Sequence, residues 1–460
     1  MTRDGPSEGR RPPVGPRVRA VRTEPFRWSS GQARDVRRPS LDAVRGFDRA
    51  VYVVAAGQLL NVFGSGLVYP FATVHFHLEV GIALSVVGAG LLANNVATAV
   101  GTAVGGYLAD RRGRKPVMVA SMALTAVTLA AYAVVPALGA AVAGVDAGGA
   151  FVGVAAAAGL TAGLYAPAGQ AMIADLTEGD GRDRAFSLLK VANNAGFGAG
   201  FVVGGVLYQL AEVAVFVADG ATSAAVAVVL VLFVPRLTDG SAGDVAVRDA
   251  VGDWGRAVSR PRVLGLAALN VGFAVMYAQM QTTVPVVATA GLGLSSAELG
   301  TLFVLNPLTI VLLQIPLVDA VGDWRRTRGL VVSAGLWAAS MVVVAVADVG
   351  VAPAVVGVAL VGGHLVLRTL GEVLHSPLST SLMSDLGRAG ERGSQLSLLE
   401  VAKRLGFGLG SFLGGVFFDH GLSALLWPTL AAVCVAIAAA VFALERRVTP
   451  GENGVATPAD

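Results

Sequence analysis

The sequence has little of three things: it contains one cysteine, three lysines and few charges of any kind. Cys434 alone excludes an intramolecular disulfide and any cysteine-based metal site. It lies in an apolar run and reads as a small core residue. Charged residues make up 14% of the chain, whereas soluble domains carry about 25%, so an ordinary solvated surface is excluded. No phosphate-binding loop, metal-ligand spacing or nucleophile constellation is present, and an enzyme is not expected. The first forty residues lack a 7–15-residue apolar core, which argues against a cleavable signal peptide.

What is abundant is apolar. Hydrophobic residues reach 54%, with 59 glycines and a mean hydropathy of +0.68. A helix needs roughly 20 mostly apolar residues to cross the hydrocarbon. Twelve segments qualify: 48–76, 83–108, 116–137, 149–173, 186–209, 213–235, 263–288, 297–320, 329–347, 353–376, 396–418 and 423–445. The basic residues test that count independently. Arg111, Arg112, Arg114 and Lys115, then Arg182 and Arg184, Arg256 to Arg262, Arg325 to Arg328, Arg388 and Arg392, and Arg446 and Arg447 fall in every second connection, and the alternate connections contain no Lys or Arg. By the positive-inside rule both termini are expected in the cytoplasm.

Two stretches recur. YAPAGQAMIADL (165–176) matches HSPLSTSLMSDL (375–386), and SLLKVANNAGFGAGFVVGGV (187–206) matches SLLEVAKRLGFGLGSFLGGV (397–416), both at an offset of 210. LADRRGR (108–114) pairs with LVDAVGD (317–323) at 209. The expected fold is therefore an all-α polytopic membrane protein with twelve transmembrane helices in two six-helix bundles. Its expected parts are a disordered basic tail (1–45, Arg- and Pro-rich), an N-terminal bundle (46–235), a cytoplasmic linker (236–261), a C-terminal bundle (262–446) and a cytoplasmic tail (447–460). A repeated bundle with a cavity between its halves is the architecture of a rocking transporter.

GGYLADRRGRKP (105–116) resembles the hallmark turn of the major facilitator superfamily, and the resemblance extends over residues 46–446. The fifth span is similar to the family's antiporter motif at Gly196, Gly200, Gly204 and Gly205, with Phe201 where that motif has Pro. The fourth span has Ala155 to Ala158 where many proton-coupled members carry Arg. NVFGSGLVYPF (61–71), YAQMQTTVP (277–285), NPLTIVLLQIPL (306–317) and TLGEVLHSP (369–377) resemble the drug:H+ antiporter branch. The resemblance implies a conformational latch of Gly106, Asp110, Arg111, Gly113, Arg114 and Lys115, with Asp110 meeting the N-terminal end of a span in the other half and favouring an outward-facing state. The alternative is a positive cluster that only sets topology.

Polar residues on the spans that would then line the cavity are Gln58, Asn61 and Tyr69, Tyr165, and Asn270, Tyr277, Gln279 and Gln281. Such residues also join membrane helices, the role expected for Asn94, Asn95, Asn306 and Gln314. The rows Gly196, Gly200, Gly204, Gly205 and Gly406, Gly410, Gly414, Gly415 predict tight helix packing, with or without gating. Lys190, Lys403 and Arg404 read as snorkelling cations. His75, His77 and Glu79 are expected in a solvated loop, not a metal site. Asp219 is either a structural carboxylate or a proton carrier. In GGHLVLRTLGEVLHSP (362–377), His364, Arg368 and Glu372 follow at four-residue steps near mid-membrane, where one charge costs about 2.5–3.5 kcal/mol. At offset 210 the first-half partners of Arg368 and Glu372 are Ala158 and Ala162, so the scaffold does not require those charges. Proton coupling or recognition of substrate charge is expected there.

The resulting expectation is proton-coupled efflux of small lipophilic compounds by alternating access. The expected partners are a small-molecule substrate, protons and the lipid bilayer, with no cofactor, metal or nucleic acid, and a monomeric state. An importer or a sugar or metabolite exporter, and a non-transporting receptor or scaffold, stay open. Abundant Ala, Gly, Val and Arg with three Lys point to a GC-rich prokaryote and its cell membrane.

Overall fold

A chain in hydrocarbon must satisfy its backbone internally, and helices do so segment by segment. The computed structural model describes residues 47–177, 180–234, 258–349, 353–387 and 392–455. Twelve helical segments run through them: α1 (Arg49–Glu79), α2 (Leu84–Arg112), α3 (Arg114–Ala141), α4 (Ala147–Asp175), α5 (Asp180–Leu210), α6 (Ala214–Phe233), α7 (Pro261–Gly291), α8 (Ser296–Ala320), α9 (Arg326–Asp348), α10 (Ala354–Asp385), α11 (Arg392–Asp419) and α12 (Ser423–Glu445). Among the described residues, eleven of these are long and apolar enough to cross a membrane. The remaining one, α5, has the length (31 residues) but carries Arg182, Arg184, Lys190, Asn193 and Asn194. Several helices outrun the apolar segments because they continue through the charged interface. The expected tail 1–45 and most of the linker 236–261 lie outside the described residues. The chain after α12 folds back: Glu452 pairs with Arg262 at 2.9 Å, and Asn453 Oδ1 accepts from Thr327 N at 3.0 Å.

The repeat is visible helix by helix. α1 and α7, α2 and α8, and α3 and α9 each begin 212 residues apart (Arg49 and Pro261, Leu84 and Ser296, Arg114 and Arg326). Asp175 and Asp385, which close α4 and α10, keep the offset of 210. The pairing of the hallmark turn at 209 is therefore corrected. Arg326, not Asp323, answers Arg114: Arg114 pairs with Asp175, and Arg326 pairs with Asp385 at 2.6 Å. Irregular turns also repeat, with π-turns closing α1 at His75–Glu79 and α7 at Val287–Gly291. The three residues read as a first outer loop thus end a helix. His75 is buried against Phe76, Tyr208 and Phe216, and His77 bonds Ile82 O at 2.9 Å.

Glycine sets the distances between helices. Gly196, Gly200 and Gly204 lie on the backbone of α1 at Leu59, Phe63 and Leu67, and Gly406 and Gly410 lie on α7 at Val271 and Val275. A second glycine face meets the opposite half: Gly205 abuts Ser296, Gly415 abuts Leu84, Gly88 abuts Ser411 and Gly300 abuts Phe201. None of these sites has room for a Cβ. Four-residue spacing produces the first face, and the adjacent Gly205 and Gly415 produce the second. All four cross-half contacts lie toward the face opposite the chain ends, here called the far side; the face where Phe47 and Val455 emerge is the termini side. Large apolar side chains such as Val127, Leu232, Ile315, Val355 and Phe442 remain exposed around the perimeter, as a lipid-facing belt requires. Gly200→Val forces a branched side chain against Gly66. It is expected to cost about 1–3 kcal/mol, the usual range for overpacking, and to lower the melting temperature of the purified protein in detergent; an unchanged melt would contradict this packing.

Candidate functional site

Where the glycine contacts stop, the halves part and enclose space. A cavity of about 560 Å³ is lined by Gln58, Asn61, Tyr69, Asn94, Tyr165, Lys190, Asn193, Asp219 and Gln281, with Tyr132, Phe151 and Phe216 forming an aromatic wall. A second, of about 310 Å³, is lined by Tyr277, Asn306, Gln314, Arg368, Glu372 and Ser376. Both are lined by Tyr69, Lys190 and Asn193, so they meet at those side chains. The larger one reaches the exposed Gln170 and Phe186 on the termini side.

The second cavity is built around α10. Arg368 is 1% exposed, and its Nη1 donates to Glu372 Oε2 at 3.2 Å. Its guanidinium lies over the Tyr277 ring, 4.4 Å from the centroid. Cation–π contact of this kind contributes about 2 kcal/mol when desolvated. Asn306 Nδ2 donates to Glu372 Oε2 at 3.3 Å and to Thr369 Oγ1 at 2.9 Å. Trp337 Nε1 donates to Arg368 O at 2.6 Å, and the Trp337 ring packs edge-on against Phe273 and Tyr277. Gly371 leaves space for that indole. Arg368 is thereby fixed on its backbone, its ring partner and its anion, while Glu372 keeps its cavity face.

The expected residues divide. Gln58, Asn61, Tyr69, Tyr165, Gln281 and Asp219 line the larger cavity, and Tyr277, Arg368 and Glu372 the smaller. Asp219 is 2% exposed, and its Oδ1 has no hydrogen-bond partner among the described residues. Three expected site residues are elsewhere. His364 is buried between α9 and α12, its Nδ1 on Ser340 O at 2.9 Å and its ring 6.4 Å from Trp427. Two four-residue steps turn a helix by about 80°, enough to carry His364 off the face of Glu372. Asn270 accepts from His375 Nε2 at 3.0 Å and from Ser379 Oγ at 2.8 Å, tying α7 to α10. Gln279 donates to Gly410 O at 3.0 Å, tying α7 to α11. Asn306, expected to join helices, does so between α8 and α10 and also lines the cavity; Gln314, expected to join helices, and Lys190, expected to snorkel, line it as well. Their depth in otherwise apolar helices was the available signal. Asn94 does both, bonding Ala155 O at 2.9 Å while lining the cavity.

Among the described residues, the polar contacts of the hallmark turn lie within its own half. Gly113 takes φ 85°, a conformation suited to glycine. Arg114 donates to Ala171 O at 2.7 Å, and Lys115 Nζ caps the end of α6 at Val231 O and Val234 O, 2.8 and 2.6 Å, where carbonyl dipoles attract a cation. Arg111 lies over Tyr107 at 4.8 Å, and Asp110 is exposed. No group of three or more metal-ligating side chains occurs among the described residues.

Comparison with known proteins places this geometry. The family model described as Major Facilitator Superfamily matches residues 54–410. An uncharacterized MFS-type transporter, YttB of Bacillus subtilis (strain 168), is 25% identical over 395 residues, covering 85% of this chain and 94% of the relative. The multidrug resistance protein MdtH of Photorhabdus laumondii is 26% identical over 375 residues, 80% of this chain and 87% of the relative. Among solved structures, the nucleoside transporter NupG aligns with a TM-score of 0.71 at 13% identity over 87% of this chain and 100% of that one. A D-xylose–proton symporter aligns at 0.67 and 16% over 91% and 100%.

Arg368→Met leaves Glu372 with Asn306 and the cavity but without its cation, and is expected to destabilise by less than the ~3–5 kcal/mol of a fully buried broken pair. Adding Glu372→Leu should recover most of that loss. Thermal unfolding of the single and double variants in detergent checks it; additive losses would show that the two side chains do not support each other.

Proposed function

Because the chain belongs to the major facilitator superfamily, a family of multi-pass membrane transporters and not enzymes, we propose that it exports small lipophilic compounds in exchange for protons by alternating access. The observation that carries this reading is the Arg368–Glu372 pair on the wall of a cavity to which both halves contribute. In that arrangement Glu372 takes a proton from one side and releases it to the other, and Arg368 is the cation that faces its carboxylate at 3.2 Å. Asp219, Tyr132, Phe151 and Phe216 offer an apolar, aromatic surface with one carboxylate, chemistry suited to lipophilic and positively charged groups. Similarity to a distant relative, the multidrug resistance protein MdtH, supports the efflux direction. The reading places the protein in a prokaryotic cell membrane with both termini cytoplasmic, so that the closed far side faces outward and the cavity opens inward. Cell-surface accessibility of tags at residues 1 and 460 checks this orientation.

In proteoliposomes under an imposed pH gradient, screened over a compound panel, Glu372→Gln should abolish gradient-driven flux and spare substrate exchange. Driven flux at the wild-type rate in this variant would refute proton coupling through Glu372. The amides of Gln58, Asn61, Asn193 and Gln281 in the larger cavity favour a second reading, transport of a hydroxyl-rich metabolite. Under that reading the same panel yields flux of sugars or nucleosides and none of lipophilic compounds.

A further inference from the structure

α2 begins at Leu84 with Ala83 at its N-cap, which supplies no side-chain acceptor. The first N–H groups of a helix have no partner within it and gather partial positive charge. Here the acceptor comes from the other half of the protein. Asp419, the last residue of α11, places Oδ1 2.8 Å from Leu84 N and Oδ2 2.8 Å from Ser85 N. A carboxylate of the second half therefore caps a helix of the first, next to the contact of Gly415 with Leu84.

The repeat shows that the fold does not need this arrangement. The helix corresponding to α2 is α8, 212 residues on, and its cap position is Ser295, the counterpart of Ala83. Ser295 and Glu298 form a complete capping box, with Glu298 Oε2 2.8 Å from Ser295 N and Ser295 Oγ 3.3 Å from Glu298 N. At offset 210 the residue corresponding to Asp419 is Gln209. One of the two equivalent cross-half contacts thus carries its cap within one helix, and the other divides it between the halves.

We propose that Asp419 is a positioning residue for transport: a far-side latch that holds the two halves together by capping α2, and must let go when the far side opens. It mirrors the task that the hallmark resemblance implies for Asp110 at the opposite end of α2. The proposal rests on the alternating-access reading.

The test is a distance across the far side. Spin labels at Glu79→Cys in the first half and Leu422→Cys in the second, both exposed, are placed in a Cys434→Ala background. Double electron–electron resonance is then recorded in nanodiscs without substrate. Asp419→Ala is expected to raise the ratio of open to closed distances roughly five- to tenfold, the size of effect a lost charged N-cap produces. Ala83→Ser added to Asp419→Ala supplies the serine of the α8 cap, with Val86 where that cap has Glu298. It should restore melting temperature while leaving the far side open. An unchanged distribution in Asp419→Ala, or full return to the wild-type distribution on adding Ala83→Ser, overturns the latch. Should Asp419→Ala fail to fold, Asp419→Asn, which keeps one acceptor, decides by the same comparison. A shift in distance in a protein that moves no compound leaves the latch standing and removes the transport reading; one fixed distance in every variant removes both.

Discussion

Inside a bilayer a helix has no hydrophobic reason to touch its neighbour, because lipid is as apolar as leucine. Association must come from close packing and from polar contacts, and this structure depends on that constraint throughout. Gly196 to Gly204 seat α5 on α1, Gly406 and Gly410 seat α11 on α7, and Gly205, Gly415, Gly88 and Gly300 bring the halves together at the far side. The cavities begin where this backbone-to-backbone approach gives way to Tyr69, Lys190, Asn193 and Glu372. Cavity and closed face follow from one distribution of small and large residues.

Within that frame the charges are costly and specifically supported. At about 2.5–3.5 kcal/mol each for a helix centre, Arg368 and Glu372 would oppose insertion if separate. The ion pair within α10, the Tyr277 face from α7 and the Asn306 amide from α8 together offset that cost. The polar residues that join α7 to its neighbours, Asn270 and Gln279, hold the ring of helices against which Tyr277 is positioned. Arg368 Nη1, Asn306 Nδ2 and Trp337 Nε1 are bonded within the site, Arg368 Nε has no partner among the described residues, and Glu372 lines the cavity.

The spans, the repeat and the placing of Arg368 and Glu372 one turn apart inside a span were legible in the sequence, because length, composition and spacing carry them directly. Helix rotation was not. His364 shares a four-residue rhythm with Arg368 yet faces α9 and α12, since the rhythm drifts against the true helical turn. Asn270 and Asn306 look alike in the sequence and both join helices, yet only Asn306 also lines a cavity, as the neighbouring helices decide how much of an amide they cover. The same holds for Lys190, whose direction depends on where the halves separate. The hallmark turn was recognisable by its residues, but its echo at Arg326 was hidden by the two-residue change in offset between early and late helices.

The inequality of the two halves has an electrical consequence. Arg368 and Glu372 correspond to Ala158 and Ala162 in the repeat, so on this helix pair the mid-helix Arg and Glu sit in one half alone. If exchange runs through Glu372, the ionised pair crosses the field as a neutral unit, whereas a protonated Glu372 leaves the guanidinium as an unbalanced cation. A full membrane crossing is worth about 2.3 kcal/mol per charge per 100 mV, and a rocking motion samples a fraction of it. The membrane voltage would then act on one stroke of the cycle and leave the other untouched, turning a chemical asymmetry between two copies of a helix into a rectifier.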